Sequence, residues 1–201
     1  MKTFYTISIR YLFALLTICL FLFFTVKASA QSQCTDCTSS YNGGNNNTGN
    51  TLTGTLCFTE GTNTIQNNIS SIADGTIICV NQGATLDLRS NQYNGIQGTV
   101  TVNVYGTLKF STNPTLAGNW IFNIFTGGSV SYGSSLEFSG NLTINNQGTF
   151  SGGKLAVTGN TSTGTITNTG AMTLTDDLNF AGTTFTFYNN SQTALKLKTI
   201  A

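Results

Sequence analysis

The chain has 201 residues, of which 7% are charged and none is histidine; eight basic residues face seven acidic ones, for a formal net charge of +1. An ordinary soluble domain is about a quarter charged, so solubility here rests on Asn, Thr, Ser and Gly. This composition supplies no basic patch for nucleic acid and no polybasic stretch for an anionic membrane. The missing imidazole removes the commonest general base and metal ligand at neutral pH.

Residues 1–30 read as a signal peptide. Lys2 and Arg10 give a basic start, residues 11–26 are an apolar run, and Ala28-Ser29-Ala30 supplies the small residues of a cleavage site. Cleavage is expected between Ala30 and Gln31, which directs the chain to the outside or the cell surface. An uncleaved membrane anchor is the alternative, disfavoured by the Ala-Ser-Ala site. Cys19 makes a poor lipobox because bulky Ile18 precedes it. Once residues 1–30 are removed, five basic residues face seven acidic ones, a net of −2. No membrane segment is expected in the mature chain.

The mature chain keeps four cysteines, Cys34, Cys37, Cys57 and Cys79. An even number in an exported chain reads as two disulfides, with three pairings open. A four-thiolate zinc site is disfavoured in an oxidising compartment, and neither metal nor cofactor is expected. Residues 31–50 join a Cys-Thr-Asp-Cys opening to a polar, glycine-rich stretch, YNGGNNNTGN. That stretch can bury little, so it reads as a linker or an irregular N-terminal cap.

From residue 51 to 201 a glycine returns in a constant setting. Gly61, Gly83, Gly106, Gly128, Gly148 and Gly170 are separated by 22, 23, 22, 20 and 22 residues, and one further step lands on Gln192. Such a period, carried by short β-prone runs, marks a solenoid whose repeats stack. Each repeat holds up to three alternating runs, such as Val102/Val104, Leu108/Phe110 and Leu136/Phe138, and period two places each pair on one face. The expected fold is an all-β parallel β-helix of about seven coils with a ~22-residue period. A sandwich of antiparallel strands would not explain the recurring offsets. The corner glycines are expected to supply positive φ.

The register makes further predictions. Two residues before each of these glycines, and before Gln192, stand Thr59, Asn81, Val104, Thr126, Asn146, Asn168 and Asn190, whose four asparagines suggest an amide ladder. Cys57 and Cys79 share an offset and should stack about 4.8 Å apart, which favours Cys57–Cys79 with Cys34–Cys37 over cross-pairing. Asp87 and Lys109 share an outward slot and should form a surface ion pair, as should Lys154 and Asp176.

Catalytic signals are weak. Asp176-Asp177 is the one adjacent acid pair, and a polysaccharide lyase or hydrolase needs clustered carboxylates, whereas Asp87, Glu137 and Asp177 fall at different offsets. An ice-binding Thr-x-Thr array is broken: Thr99/Thr101 and Thr163/Thr165 match, but Ile121, Asn141 and Phe185 take the first slot elsewhere. Trp120, Tyr93 and Tyr105 are the candidates for stacking on sugar rings, against the commoner fate of an aromatic in the core. The Asn-x-Ser/Thr matches at Asn46, Asn68, Asn141, Asn160 and Asn189 follow from composition.

The run NIFTGGSVSYGSSLEFSGNLTINNQGTFSGGKLAVTGN, the Cys-Thr-Asp-Cys opening and the Cys-containing first coil resemble the N-terminal regions of large exported surface proteins of gliding bacteria. Those proteins look like adhesins, with a β-helical stalk, further domains and a C-terminal sorting signal of the type IX secretion kind. No such sorting domain follows Leu195 and Leu197 here, so the chain reads as the front piece of a longer or disrupted frame; the alternative is a last coil that pairs with a partner. The resemblance implies a secreted, non-catalytic surface module of structural or adhesive role, in contact with surface polysaccharide or envelope proteins. A carbohydrate-active β-helix enzyme is the alternative.

Overall fold

The computed structural model describes residues 33–46, 51–65, 69, 71–89, 92–93, 98–159, 161–180, 184–191 and 199–200. The signal peptide, with its cleavage site at Ala30 and Gln31, lies outside these residues, as do Gln192, Leu195 and Leu197.

The described residues form a parallel β-solenoid. Alternation along each strand sends one set of side chains inward and the other outward, and each strand then pairs with its counterpart about 22 residues on. Three faces result. Face A stacks Ser39–Tyr41, Thr55–Phe58, Ile77–Val80, Thr99–Val104, Asn119–Ile124, Leu142–Asn146, Thr163–Asn168 and Thr184–Asn189. Face B stacks Gly44–Asn45, Gly61–Ile65, Ala84–Leu88, Thr107–Phe110, Ser129–Tyr132, Thr149–Gly152 and Ala171–Leu174. Face C stacks Gln92–Tyr93, Thr115–Leu116, Ser135–Phe138, Lys154–Val157, Asp177–Asn179 and Thr199–Ile200, and Thr51–Leu52 pairs separately with Ser71–Ile72. With six strands on face C, about six turns close on all three faces, where the glycine spacing predicted about seven. The polar segment read as a linker or cap contributes the first strand of faces A and B.

The core is built from files of like residues, one per coil. Leu56, Ile78, Val102, Phe122, Ile144, Ile166 and Phe187 are successive register partners on face A, and Leu86, Leu108, Val130, Phe150 and Met172 on face B. All but Phe187 are buried; burying each such side chain contributes about 1.5–3 kcal/mol.

The corner glycines do two different jobs. Gly61 and Gly83 have φ of +64° and +82°, as the sequence suggested. Gly106, Gly128, Gly148 and Gly170 do not. Instead, a Cβ on any of these four would come 2.2 Å from a carbonyl oxygen of the coil below, that of Asn81, Val104, Gly128 and Gly148 respectively. These four positions exclude a side chain because two backbones approach closely.

The asparagine column splits for a related reason. Asn146 and Asn168 are buried inward partners, joined at 2.6 Å, and Asn168 donates onward to Asn189 at 2.8 Å. Asn81 and Asn190 instead occupy the outer corner, one position later. Ile124, partner of Asn146 in the coil below, has no polar group, which leaves Asn146 Oδ1 without a partner.

The disulfides are Cys34–Cys79 and Cys37–Cys57, with Cα separations of 5.8 and 5.7 Å, which corrects the expected Cys57–Cys79 and Cys34–Cys37. Cys57 and Cys79 do stack as register partners. In-register side chains on parallel strands point the same way, however, so their Cβ atoms stay near the strand spacing of about 4.8 Å, beyond the 3.5–4.5 Å a disulfide requires. The N-terminal arm crosses the outside of face A, meeting Cys79 with Cys34 and Cys57 with Cys37 before Ser39–Tyr41 pairs with Leu56–Phe58. The Gln33 amide donates to Asn81 Oδ1 at 2.8 Å, and the arm leaves the outward-pointing Cys57 fully buried.

Tyr132 is buried on face B with its hydroxyl unpaired, and desolvation raises the phenol pKa far above its usual value. Its ring fills the space over Gly152, where a Cβ would lie 2.4 Å from ring carbons. Because the unmet hydroxyl carries a desolvation cost, Tyr132→Phe is expected to leave stability unchanged or raise it by up to about 1 kcal/mol. A denaturant melt checks this; a clear loss of stability would mean that the hydroxyl has a partner.

Candidate binding groove

Alternation along face A turns Asn103, Asn123 and Asn145 outward, and parallel pairing puts them in one file. Their amides bond up the axis, Asn123 Nδ2 to Asn103 Oδ1 and Asn145 Nδ2 to Asn123 Oδ1, both at 2.9 Å. Thr167 continues the file.

Just past the strand ends runs a corner file. Tyr105, Phe125, Gln147 and Thr169 each donate their backbone N–H to the last strand residue of the coil below, Val80, Val104, Ile124 and Asn146. These four are therefore equivalent positions. Tyr105 and Phe125 stack, with ring centroids 4.1 Å apart and planes 5° from parallel. Tyr105 also packs on the cluster of Cys34, Cys57 and Cys79, so the covalently fixed arm backs one end of the aromatic pair.

Between the two files lies a groove of ≈ 340 Å³ lined by Asn123, Phe125, Asn145, Gln147, Thr167 and Thr169, with Ile124 and Asn146 beneath. Its lining is amide, hydroxyl and aromatic, with no ionisable side chain. Such a surface offers paired donors and acceptors beside an apolar ring face, the combination that fits a hydroxyl-rich, uncharged ligand.

Of the three aromatics singled out in the sequence, Tyr105 joins this site. Trp120 does not: it is 1% exposed, stacks on Phe122 and donates Nε1–H to the Ala117 carbonyl at 2.9 Å. Position 120 alternates inward, and its neighbour Ile121 faces out. Tyr93 is the register partner of Leu116, but its side chain lies outside the described residues.

Sequence reasoning missed Phe125 and the file through Asn123 because the coil containing these two residues is irregular. Val104 stands two residues before Gly106, whereas Ile124 stands four before Gly128; Thr126 and the positive-φ Gly127 are the extra residues. Offsets counted from the glycine therefore mix the inward file with the corner file. Counting backward from the hydrophobic strand partners would have aligned them.

None of the charged residues singled out in the sequence lines the groove. Asp87 and Lys109 are register partners, yet the Asp87 carboxylate takes Arg89 Nε at 2.8 Å and Ser111 Oγ at 2.6 Å. An adjacent guanidinium on the same strand end reaches it more readily than the ammonium a coil away. Lys154, expected to meet Asp176, places Nζ 2.9 Å from Glu137 Oε1. That hydrogen bond, helped by Ser135 and opposed by partial burial, holds the Glu137 carboxyl below its usual pKa. Asp177 opens a face C strand, its N–H donating to Asp176 Oδ1 at 3.0 Å. Among the described residues no group of three or more His, Cys, Asp or Glu is placed to hold a metal ion.

The outer threonines of face A are more regular than the sequence indicated. Thr184, not Phe185, aligns with Thr163, and Phe185 aligns with Gly164 and stacks on Phe180. Thr-x-Thr thus recurs at 99/101, 163/165 and 184/186, with Asn119/Ile121 and Asn141/Thr143 interrupting it.

Two disulfides of this kind persist in a non-reducing compartment, and among the described residues no helix is long and apolar enough to cross a membrane. Comparison with known proteins returns no relative: no family model matches the chain, no curated protein is significantly similar, and no solved structure matches.

Proposed function

We propose that this chain is an exported, non-catalytic β-solenoid of the cell surface whose role is adhesive or structural, contacting neutral glycan or neighbouring envelope components. The observation that carries this reading is the groove at the corner of face A, where the Tyr105–Phe125 stack adjoins amides and hydroxyls free of ionisable groups. The apolar run and Ala-Ser-Ala site of residues 1–30 and the two disulfides support export. The resemblance to stalk regions of surface proteins of gliding bacteria fits the same reading.

The secreted protein should begin at Gln31 and be retained on insoluble polysaccharide or on isolated cell envelopes without releasing reducing ends. Retention on neither would reduce its role to a spacer. Release of reducing ends that depends on Asp176 or Asp177 would instead make it a carbohydrate-active enzyme.

A further inference from the structure

The groove has a direction. Its lining comes from three successive coils, Asn123 with Phe125, Asn145 with Gln147, and Thr167 with Thr169, and each coil repeats the same pair of positions about 4.8 Å further along the axis. We propose that the groove binds an extended, uncharged β-1,4-linked oligosaccharide lying parallel to the solenoid axis, with one sugar ring per coil. This proposal rests on the glycan-binding reading above and specifies its ligand.

Three features of the site select that ligand. The first is the repeat: a pyranose ring in an extended β-1,4 chain advances by close to one coil height, so each coil faces one ring, with successive rings turned over by half a turn and offering alternate hydroxyl edges to the amide file. A helical or branched glycan would lose step after one ring. The second is unused hydrogen-bonding capacity. Asn123 donates one N–H to Asn103 and accepts one from Asn145; its second N–H and second lone pair remain for a ligand. The ladder also fixes each amide's orientation, so little rotamer entropy is lost on binding. The third is the aromatic end. In the corner file Phe125 has Tyr105 on one side and Gln147 on the other, so the ring closes the start of the groove as an apolar end wall against the first sugar. No cation lines the groove, so acidic polysaccharides gain nothing there.

The test is a titration of the purified full-length secreted protein with neutral β-1,4 gluco- and N-acetylglucosamine oligomers, from monosaccharide to hexasaccharide. Affinity should rise with each ring up to about three rings and then level off. Phe125→Ala should weaken trisaccharide binding by about tenfold, the loss of the one aromatic contact in the groove. The paired Gln147→Ala, Thr169→Ala variant alters two exposed corner side chains, so it should fold and still flatten the dependence on length. Binding that ignores ligand length, or survives both variants unchanged, would overturn the axial one-ring-per-coil arrangement and leave the adhesive reading standing. Absence of binding to these oligomers and to every insoluble polysaccharide would overturn both.

Discussion

Gly148→Ala is expected to destabilise the protein by more than about 3 kcal/mol, a loss reserved for substitutions that force packed backbone apart. The methyl carbon would lie 2.2 Å from the Gly128 carbonyl oxygen, 2.6 Å from that of Phe125 and 3.0 Å from Ile124 Cγ2. Two of these neighbours are main chain, so no rotamer change relieves the contact. Separating the coils would stretch the bonds that join them here, Gln147 N–H to the Ile124 carbonyl at 2.7 Å and Thr149 N–H to the Gly128 carbonyl at 3.0 Å. Gly83→Ala is the matched comparison. It has φ of +82° but nothing within 4 Å of the added atom, so its cost is the backbone preference alone, roughly 1–2 kcal/mol. Denaturant titrations of the two variants check the ranking. Equal losses would show that the coils yield at the corner and that close approach is not what excludes a side chain at Gly148.

Removing the disulfides should have an effect of similar size. Cys34–Cys79 closes 45 residues and Cys37–Cys57 closes 20; loop-entropy arguments give about 4 and about 3 kcal/mol respectively. Paired substitution to serine, which leaves no orphan thiol, should lower the unfolding midpoint in that order. The connectivity itself is open to direct test, because Asp36 separates Cys34 from Cys37 and Glu60 separates Cys57 from Cys79. Acid-specific proteolysis of the unreduced protein should join the Cys34 peptide to the Cys79 peptide and release residues 37–60 as a fragment closed on itself. A Cys34 peptide joined to the segment of residues 37–60 would exclude the pairing seen here and leave the other two open.

The solenoid and its period were legible because they depend on what recurs. Alternating pairs such as Leu108/Phe110 and Leu142/Ile144 can only bury one face, and a repeat that cannot bury it alone must stack. The same arithmetic put Cys57 beside Cys79 and Asp87 beside Lys109, and both are register partners. It failed where position and partner part company. Cys79 bonds to Cys34, 45 residues earlier, and Asp87 to Arg89 two residues on; stacking in register brings side chains alongside without turning them toward each other.

The groove shows the division most clearly. Local pattern fixes that Asn123 points out and Trp120 points in, since period two permits nothing else on a strand with one buried face. Whether Phe125 meets Tyr105 depends on how the residues between Ile124 and Ser129 are accommodated. Gly127 takes a positive φ and the Gly128 N–H returns to the Phe125 carbonyl at 2.8 Å, which absorbs the extra residues at the corner and leaves the next strand in register. Sequence periodicity thus determined the fold, the stacking direction and the inward or outward sense of each strand residue, all consequences of short-range sterics and burial. Only the tertiary structure decided which outward residues share a file, which cysteines meet and where a groove opens, because those follow from corner geometry and from a covalent arm that crosses coils instead of following them.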